Sequence, residues 1–237
     1  MKRAEHHLPT LHFRGVPVAL DSLVGIAQGE LGPALRISID HLALSHVPLG
    51  FLAFDAGAGA SRLRMSIPRG TPPGNYKGSA EAGGKSYPVE IDVESYVHLS
   101  LSPRQLILSA HAGDKLHVDL TLANSGNVVS EIGITYAFGL YDVHGAERGI
   151  GAAFRSGEGN GVTRVVRLLD QLAEGHGGIV RVQVEEGAGS IAAGEVRPLR
   201  LNLHLPTMLK AGHTYTGTMP MENLRYYVKV HATSERK

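Results

Sequence analysis

Two stretches of the chain share one pattern: IPRGTPPGNYKGSAEAGGKSYPVEIDV at residues 67–93 and LPTMLKAGHTYTGTMPMENLRYYVKV at residues 205–230. In both stretches a proline is followed six residues later by a glycine, then by Tyr-x-Gly, and a second tyrosine comes nine residues after that last glycine. A single residue inserted before Tyr215 is the only slip in spacing. Alternating apolar residues close each copy. The repeat predicts two domains that each end in the same β-hairpin.

The tyrosines of the repeat are expected to be structural. Tyr76 and Tyr215 occupy equivalent places just after the glycine turn. A ring placed there packs at the edge of a core while its hydroxyl reaches the backbone, as the corner tyrosine of β-sandwich domains does. We therefore expect the hydroxyl of each to bond to a nearby backbone group.

Composition favours a folded, turn-rich β protein. Of 237 residues, 43% are hydrophobic and 19% are charged, and the chain contains 30 Gly and 12 Pro, so we expect little helix. The formal net charge is +1 and neither half has a basic stripe, which argues against nucleic acid and against an anionic membrane surface. No stretch of eighteen apolar residues occurs, so no integral membrane segment is predicted.

The alternation of apolar residues places the domain boundary near residue 95. Leu35, Ile37 and Ile39 alternate with polar residues, which is typical of a strand with one buried face. A first β-sandwich domain is predicted over residues 10–95. A second is predicted over residues 96–233, and it begins almost without a linker.

The second domain opens with Val97–Leu101, a turn at Gly113-Asp114, a long alternating strand from Leu116 to Leu122, and the turn Asn124–Asn127. This order, and the closing pattern of Pro, Gly, Tyr, Gly and alternating Val, resemble bacterial immunoglobulin-like domains. The resemblance covers both ends of the second domain and the end of the first. It implies an all-β fold of two tandem immunoglobulin-like β-sandwich domains and implies no ligand.

The segment 140–196 is longer than a compact domain of this kind needs between its middle strands. It contains a Gly-rich loop at 149–161 and the stretch 163–173, which fits a strand or a short helix. Gly-rich excursions on a rigid sandwich are common places for binding. The residues predicted to contact a protein partner lie in or near this excursion: Tyr136, Tyr141, His144, Phe154 and Arg155.

The thirteen histidines do not form a metal motif, because no His-x-His and no His-Glu-x-x-His is present. One alternative is a Cu(I) site, since the thioethers of Met219 and Met221 lie on the same side of an extended segment with His213 and His231 nearby. The opposing interpretation is that both methionines fill the core. We favour packing and predict no cofactor.

Catalytic motifs are also lacking in the sequence. Gly189-Ser190-Ile191 does not have the spacing of a nucleophile elbow, and no Gly-Lys-Ser/Thr follows the glycines near residue 149. Glu185 and Glu186 are neighbours on a predicted strand, so their carboxylates face opposite sides. The chain is therefore predicted not to be an enzyme.

The function predicted from the sequence is a structural or adaptor subunit that docks to a larger protein assembly through sheet edges and loops. Two alternatives remain open: a copper-handling accessory protein and a surface adhesin. The predicted partner is a protein or a second copy of the chain. Glu5, His6 and His7 stand where a signal peptide would be apolar. The sequence leaves the compartment open between the cytoplasm and, if a leader has been removed, the periplasm or cell surface.

Overall fold

The structure is a computed structural model. It describes residues 8–26, 36–40, 52–55, 61–147, 150–151, 162, 165–166, 168–170 and 175–234. Two compact units divide the chain. The first comprises residues up to 97 together with Ser125–Val128, and the second comprises His98–Asn124 and residues from Val129 onward.

The strands of the first unit form one hydrogen-bonded series in the order β3-β6-β7-β1-β2-β5-β4. Their bounds are β1 Leu11–Val16, β2 Ala19–Val24, β3 Arg36–Ile39, β4 Leu52–Asp55, β5 Ser61–Met65, β6 Gly74–Ala82 and β7 Lys85–Val93. Ile37 and Ile39 are both buried, as their alternation predicts. The inward residues of these strands pack into one core that includes Phe13, Leu63 and the fully buried Tyr87.

The second unit has a longer series in the order β8-β10-β15-β13-β12-β16-β17-β9, and a separate pair, β11 with β14. The bounds are β8 Leu99–Ser102, β9 Gln105–Ala110, β10 Lys115–Asn124, β11 Ser130–Ile132, β12 Thr135–Asp142, β13 His176–Glu186, β14 Gly189–Ile191, β15 Val196–His204, β16 Thr214–Met221 and β17 Leu224–Ala232. The bond between Ser102 and Pro103 is cis. It lies between β8, which pairs with β10, and β9, which pairs with β17.

Both units close in the same way. In the first, β1 pairs antiparallel with β2 and parallel with the last strand, β7. In the second, β8 pairs antiparallel with β10 while β9 pairs parallel with the last strand, β17. In each unit the opening segment pairs with two different strands: β1 pairs with β2 and β7, and the β8–β9 segment pairs with β10 and β17. Such a shared opening segment connects the two layers of a sandwich. The predicted all-β fold with two tandem immunoglobulin-like β-sandwich domains is confirmed.

The repeat seen in the sequence is a repeat of strand register. Tyr76 pairs with Ile91 in the first unit, and Tyr215 pairs with Val230 in the second. Two residues further along β6 and β16, Gly78 pairs with Val89 and Gly217 pairs with Val228. The hairpins β6–β7 and β16–β17 are therefore equivalent residue by residue over this stretch.

The structural role predicted for the repeated tyrosines is confirmed. The hydroxyl of Tyr76 donates to the carbonyl oxygen of Pro72 at 2.8 Å. The hydroxyl of Tyr215, whose side chain is buried, accepts a bond from the backbone N–H of Lys210 at 3.0 Å. Each hydroxyl thus holds the loop that leads into its own hairpin.

The segment 140–196 contains a strand of the main series. Strand β13 lies between β15 and β12, and its residues Val180, Val182 and Val184 are buried. The described residues of the stretch 163–173, which are 165–166 and 168–170, are helical. The predicted contact residues Phe154 and Arg155 lie outside the described residues.

Candidate protein-contact surface

The candidate site is the outward face of four neighbouring strands in the second unit, β13, β12, β16 and β17. On β12, Phe138 and Leu140 point into the core and are buried, so the alternation directs Ala137, Gly139 and Tyr141 outward. Strand β17 alternates in the same way, and buried Tyr226 is followed by exposed Tyr227.

Strand register brings the outward residues into rows. One row crosses five strands through successive pairs: His176, Tyr141, Thr216, Lys229 and Ile107. A second row contains Gly139 paired with Ile179, and Thr218 paired with Tyr227. We call the outward residues of these rows the Tyr141 surface.

A shallow groove of about 430 Å3 runs along this surface. Its lining consists mainly of small residues between two tyrosines: Ala137, Phe138, Gly139, Tyr141, Thr216, Gly217, Thr218, Pro220 and Tyr227. A Cβ placed on Gly139 would lie 3.2 Å from the ring of Tyr141, so that ring lies directly against the glycine. The groove exists because the residues between the tyrosines have little or no side chain. Tyr141 is 59% exposed and Tyr227 is 40% exposed.

A second groove of about 590 Å3 continues the Tyr141 surface beyond β12. Its lining includes His176, Ile179, Arg181, His204 and Met208. The rings of Tyr141 and His176 meet edge to face with their centroids 5.2 Å apart, which connects the two grooves. Ile179 and Met208 are each 59% exposed.

A buried carboxylate fixes the end of β12 beside Tyr141. The side chain of Asp142 is only 4% exposed, and its Oδ2 lies 2.7 Å from Nδ1 of His213. Its Oδ1 accepts a bond from the backbone N–H of His144 at 3.0 Å. The ring of His213 in turn stacks on the ring of Tyr215, with centroids 6.3 Å apart. Tyr141 therefore lies on a strand end that is held by several hydrogen bonds.

Two other outward faces among the described strands carry ion pairs. In the first unit, Arg64 bonds to Asp21 at 2.9 Å, and this guanidinium hydrogen bond lowers the pKa of the Asp21 carboxyl. In the second unit, Arg200 bonds to Asp119 at 2.7 Å on β15 and β10. The Tyr141 surface differs from these faces, because none of the outward positions on its fully described strands β9, β12, β16 and β17 is Asp or Glu, and the two glutamates of β13, Glu185 and Glu186, lie at the far end of that strand.

A hydrogen-bonded network covers the outward ends of β10, β13 and β15. Glu185 accepts a bond from the Nδ2 of Asn202 at 2.9 Å and lies 3.0 Å from the Nδ1 of His117. These two hydrogen bonds, the one from Asn202 first, lower the pKa of the Glu185 carboxyl below its usual value. The network marks the boundary at which the apolar face ends.

The predicted contact residues separate in the structure. Tyr141 lies at the centre of the surface, and His144 lies in the turn that follows β12, with its Nδ1 3.2 Å from Glu147. Tyr136 occupies an inward position on β12, and its hydroxyl accepts a bond from the N–H of Gly133 at 2.7 Å. Burial raises the pKa of the Tyr136 phenol. The structure therefore brings Tyr141 and His144 to one end of β12 and directs Tyr136 to the other face.

The four residues of the copper alternative are not brought together. Met219 and Met221 are buried in the core, where they serve as packing residues. His213 bonds to Asp142, and the Nδ1 of His231 lies 3.0 Å from the hydroxyl of Thr214. The six residues from His213 to Met219 span roughly 20 Å of extended chain. Within the described ranges, no three His, Cys, Asp or Glu residues form a group that could hold a metal ion.

Two exposed residues of the surface, Ile179 and Tyr227, are not among the contact residues predicted from the sequence. The available signal was the alternation along β13 and β17, which places an apolar residue at an outward position on each strand. Pairing of β13 with β12 was needed to show that these residues are neighbours.

Comparisons with known proteins assign the chain to no family. No protein-family model matches the chain, and no curated protein sequence matches it. An I-band fragment of titin is 10% identical with a TM-score of 0.35, and the match covers 97% of this chain and 63% of the fragment. Domains 4 and 5 of the S-layer protein SbsC are 12% identical with a TM-score of 0.26, and the match covers 72% of this chain and 68% of theirs.

The ectodomain of the teleost fish polymeric Ig receptor is 10% identical with a TM-score of 0.25, and the match covers 96% of this chain and 99% of the ectodomain. Likenesses of this size transfer no activity and no partner. The strand order and pairing of the two units define the class, which is a protein of two tandem immunoglobulin-like β-sandwich domains. In the part of the chain that the structure describes, no helix is long and apolar enough to cross a membrane.

Proposed function

We propose that this protein is a non-catalytic adaptor whose second domain binds a partner protein through the Tyr141 surface. The observation that carries the proposal is the exposure of Tyr141, Tyr227 and Ile179 on one sheet face that has small residues between them. Contiguous apolar patches on folded proteins commonly mark interaction sites. Tyrosine is also among the residues that contribute most to binding energy at protein interfaces.

The shape of the surface supports a protein partner. Both grooves are shallow and open along the sheet, whereas small-molecule sites are concave and enclose most of their ligand. The backbone beneath the grooves is held by strand pairing on both sides of β12. A rigid face loses little conformational entropy when a partner binds.

The test is site-specific photo-crosslinking of the full chain in an extract of the cells that produce it. A photoreactive residue is placed at position 141, and a matched control carries it at position 23, because Leu23 is 72% exposed in the first unit. The expected result is a partner protein that is captured reproducibly from position 141 and not from position 23.

The partner is then purified and titrated calorimetrically against the wild-type chain, the double variant Tyr141→Ala/Tyr227→Ala and the control Leu23→Ala. We expect the double variant to lose about tenfold or more in affinity, which is about 1.4 kcal/mol, while the control binds as the wild type does. Equal affinity of all three chains, or no partner specific to position 141, would contradict the proposal. Circular dichroism checks that each variant is folded.

A further inference from the structure

We infer that the partner docks on the Tyr141 surface through an acidic segment, in which carboxylates flank apolar side chains. This inference rests on the proposed function and specifies the chemistry of the partner. It is carried by the charges around the grooves.

Three cations lie around the residues that line the first groove, which we call the apolar floor. Arg181 pairs in register with Ala137, and Arg225 pairs with Pro220, so the two arginines lie on opposite sides of the groove that Ala137 and Pro220 line. Lys229 pairs with Thr216 at the other end of the same groove. The two arginines are separated by about three strand spacings, on the order of 15 Å.

These cations lack partners within the described part of the chain. No described carboxylate forms an ion pair with Arg181, Arg225 or Lys229. By contrast, several arginines elsewhere on the surface are paired, as Arg14 is with Glu94 at 2.8 Å and Arg200 is with Asp119 at 2.7 Å. Two acidic residues are close to the groove along the chain: Asp142, which is buried and bonds to His213, and Glu222, which lies in the turn beyond β16. The Tyr141 surface therefore has a local positive charge on a chain whose net charge is +1.

Charge complementarity directs a partner to this face. Unpaired cations around a low-dielectric floor attract an acidic partner and orient it as it approaches. The apolar floor then requires side chains that replace water over Tyr141, Tyr227 and Ile179. An acidic segment that carries apolar side chains satisfies both conditions.

The same charges are too few for nucleic acid or a membrane. Nucleic-acid affinity comes largely from neutralising many phosphates, about six to ten in typical duplex binders. Segments that bind anionic lipid carry about four to eight clustered Lys and Arg residues. The groove has three cations and an apolar floor, which favours a protein segment.

The test uses defined probes and the full chain. The first probe is a fluorescent peptide of about eight residues, in which Glu alternates with Leu, long enough to span the groove. A second peptide has Lys in place of Glu, and a third has Ser in place of Leu. Binding is measured by fluorescence anisotropy at about 50 mM and about 300 mM salt.

We expect the Glu-Leu peptide to bind more tightly than the other two, and to bind more weakly at the higher salt concentration. The variant Arg181→Glu/Arg225→Glu should lose about tenfold or more in affinity for it. The control Lys85→Glu, which reverses one charge at the exposed first residue of β7 in the first unit, should bind as the wild type does.

Several outcomes would overturn the inference. These are no binding of the Glu-Leu peptide at about 1 mM, equal binding of the Lys-Leu peptide, or tighter binding of an oligothymidylate or of phosphatidylserine vesicles. A dimer seen by sedimentation that is lost in Tyr141→Ala would identify a second copy as the occupant. Peptide binding only after residues 146–174 are replaced by a short linker would identify that segment as the occupant.

The inference and the proposed function fail in distinguishable ways. If the crosslinked partner binds equally well to the wild type and to Arg181→Glu/Arg225→Glu, the acidic-segment inference is wrong and the adaptor proposal stands. If no partner is captured from position 141, the adaptor proposal itself is wrong.

Discussion

The glycine that follows the first tyrosine of each repeat, Gly78 or Gly217, is needed because there is no space for a side chain at that position. A Cβ on Gly217 would lie 2.5 Å from the carbonyl oxygen of Gly139 and 2.7 Å from the ring of Phe138. In the first unit, a Cβ on Gly78 would overlap the carbonyl oxygen of Ser38. In each unit, a glycine thus lets a neighbouring strand approach the closing hairpin more closely than any side chain allows.

We predict that Gly217→Ala destabilises the second unit. The methyl group has no space, and overpacking of this kind costs about 1 to 3 kcal/mol, more than the strand propensity gained by replacing glycine. The measurement is urea unfolding followed by circular dichroism. The control Gly70→Ala places its methyl where no atom lies within 4 Å, so it should change stability by less than about 0.5 kcal/mol. Equal stability of the two variants would show that the strands separate without cost.

Tyr226 links the last strand to the connection between β8 and β9. Its side chain is buried, and its hydroxyl donates to the carbonyl oxygen of Pro103 at 3.0 Å. Burial raises the pKa of this phenol from 10.0 to about 12. In the unfolded chain the phenol ionises near pH 10, so between about pH 10 and pH 12 the unfolded state loses the proton first.

The free energy of unfolding of the second unit is therefore expected to be unaffected by this phenol below pH 10 and to fall as the pH rises toward 12. Tyr226→Phe should be less stable at neutral pH by about 0.5 to 1.5 kcal/mol, because one hydrogen bond is lost, and should show a shallower decline at high pH. Urea unfolding at neutral pH and at several values between pH 9 and pH 11.5 measures both effects. Identical slopes for the two chains would contradict the assignment.

At the scale of elements, β12 and β13 form a hairpin that closes tightly. The backbone N–H of Asp142 donates to the carbonyl oxygen of Gly175 at 2.9 Å. From there, the pairs run from Tyr141 with His176 to Thr135 with Gln183. The two strands therefore pair along their length, with one register shift between Leu140 and Tyr141, up to the point where the connecting residues begin.

We predict that residues 146–174 can be replaced by a four-residue Gly-rich turn without unfolding the second unit. A Cβ on Gly145 would lie 3.4 Å from the Cα of Gly175, so the two ends are close enough for a short turn. Hydrogen exchange of the amides in β12 and β13 measures the outcome, with protection expected to match that of the wild type. Loss of protection in both strands would show that the segment is required for folding. The variant also removes Phe154 and Arg155, so its binding to the purified partner tests those two predicted contacts.

At the scale of the whole molecule, each unit has its own core, but the first is not continuous in sequence. Ser125–Val128 follows β10 along the chain and belongs to the first unit. Within it, Asn127 is 4% exposed and donates to the carbonyl oxygens of Thr71 and Glu94, both at 3.0 Å. Its Oδ1 accepts a bond from the N–H of Tyr96 at 2.6 Å. One buried side chain thus satisfies three backbone groups.

We predict that Asn127→Ala destabilises the first unit by at least about 2 kcal/mol, because it leaves several backbone groups without their partner. Hydrogen exchange in β1 and β7 should report the loss. Asn75→Ala, which removes the same side chain from an exposed position on β6, is the matched control and should leave exchange unchanged. Unchanged protection in Asn127→Ala would show that the segment is not needed by the first unit.

Only part of the candidate site could be predicted from the sequence. Tyr141 was predicted as a contact residue because it is an aromatic residue near a Gly-rich excursion. The alternation Val180, Val182 and Val184 was visible, yet nothing in it indicated which strand β13 would pair with. Ile179 and Tyr227 are about 50 residues apart in the sequence. They lie on one sheet face because β13 and β17 are joined in the same sheet through β12 and β16.

The sequence by itself determined the β class, the two closing hairpins and the inward direction of their tyrosines. These features depend on local chemistry, namely the two-residue period of strands and the turns that Gly and Pro allow. Tertiary structure alone decided the place of β13, the discontinuous first unit and the cationic rim around an apolar floor. Those features depend on which strands pair across long stretches of chain, and local propensity does not specify such long-range contacts.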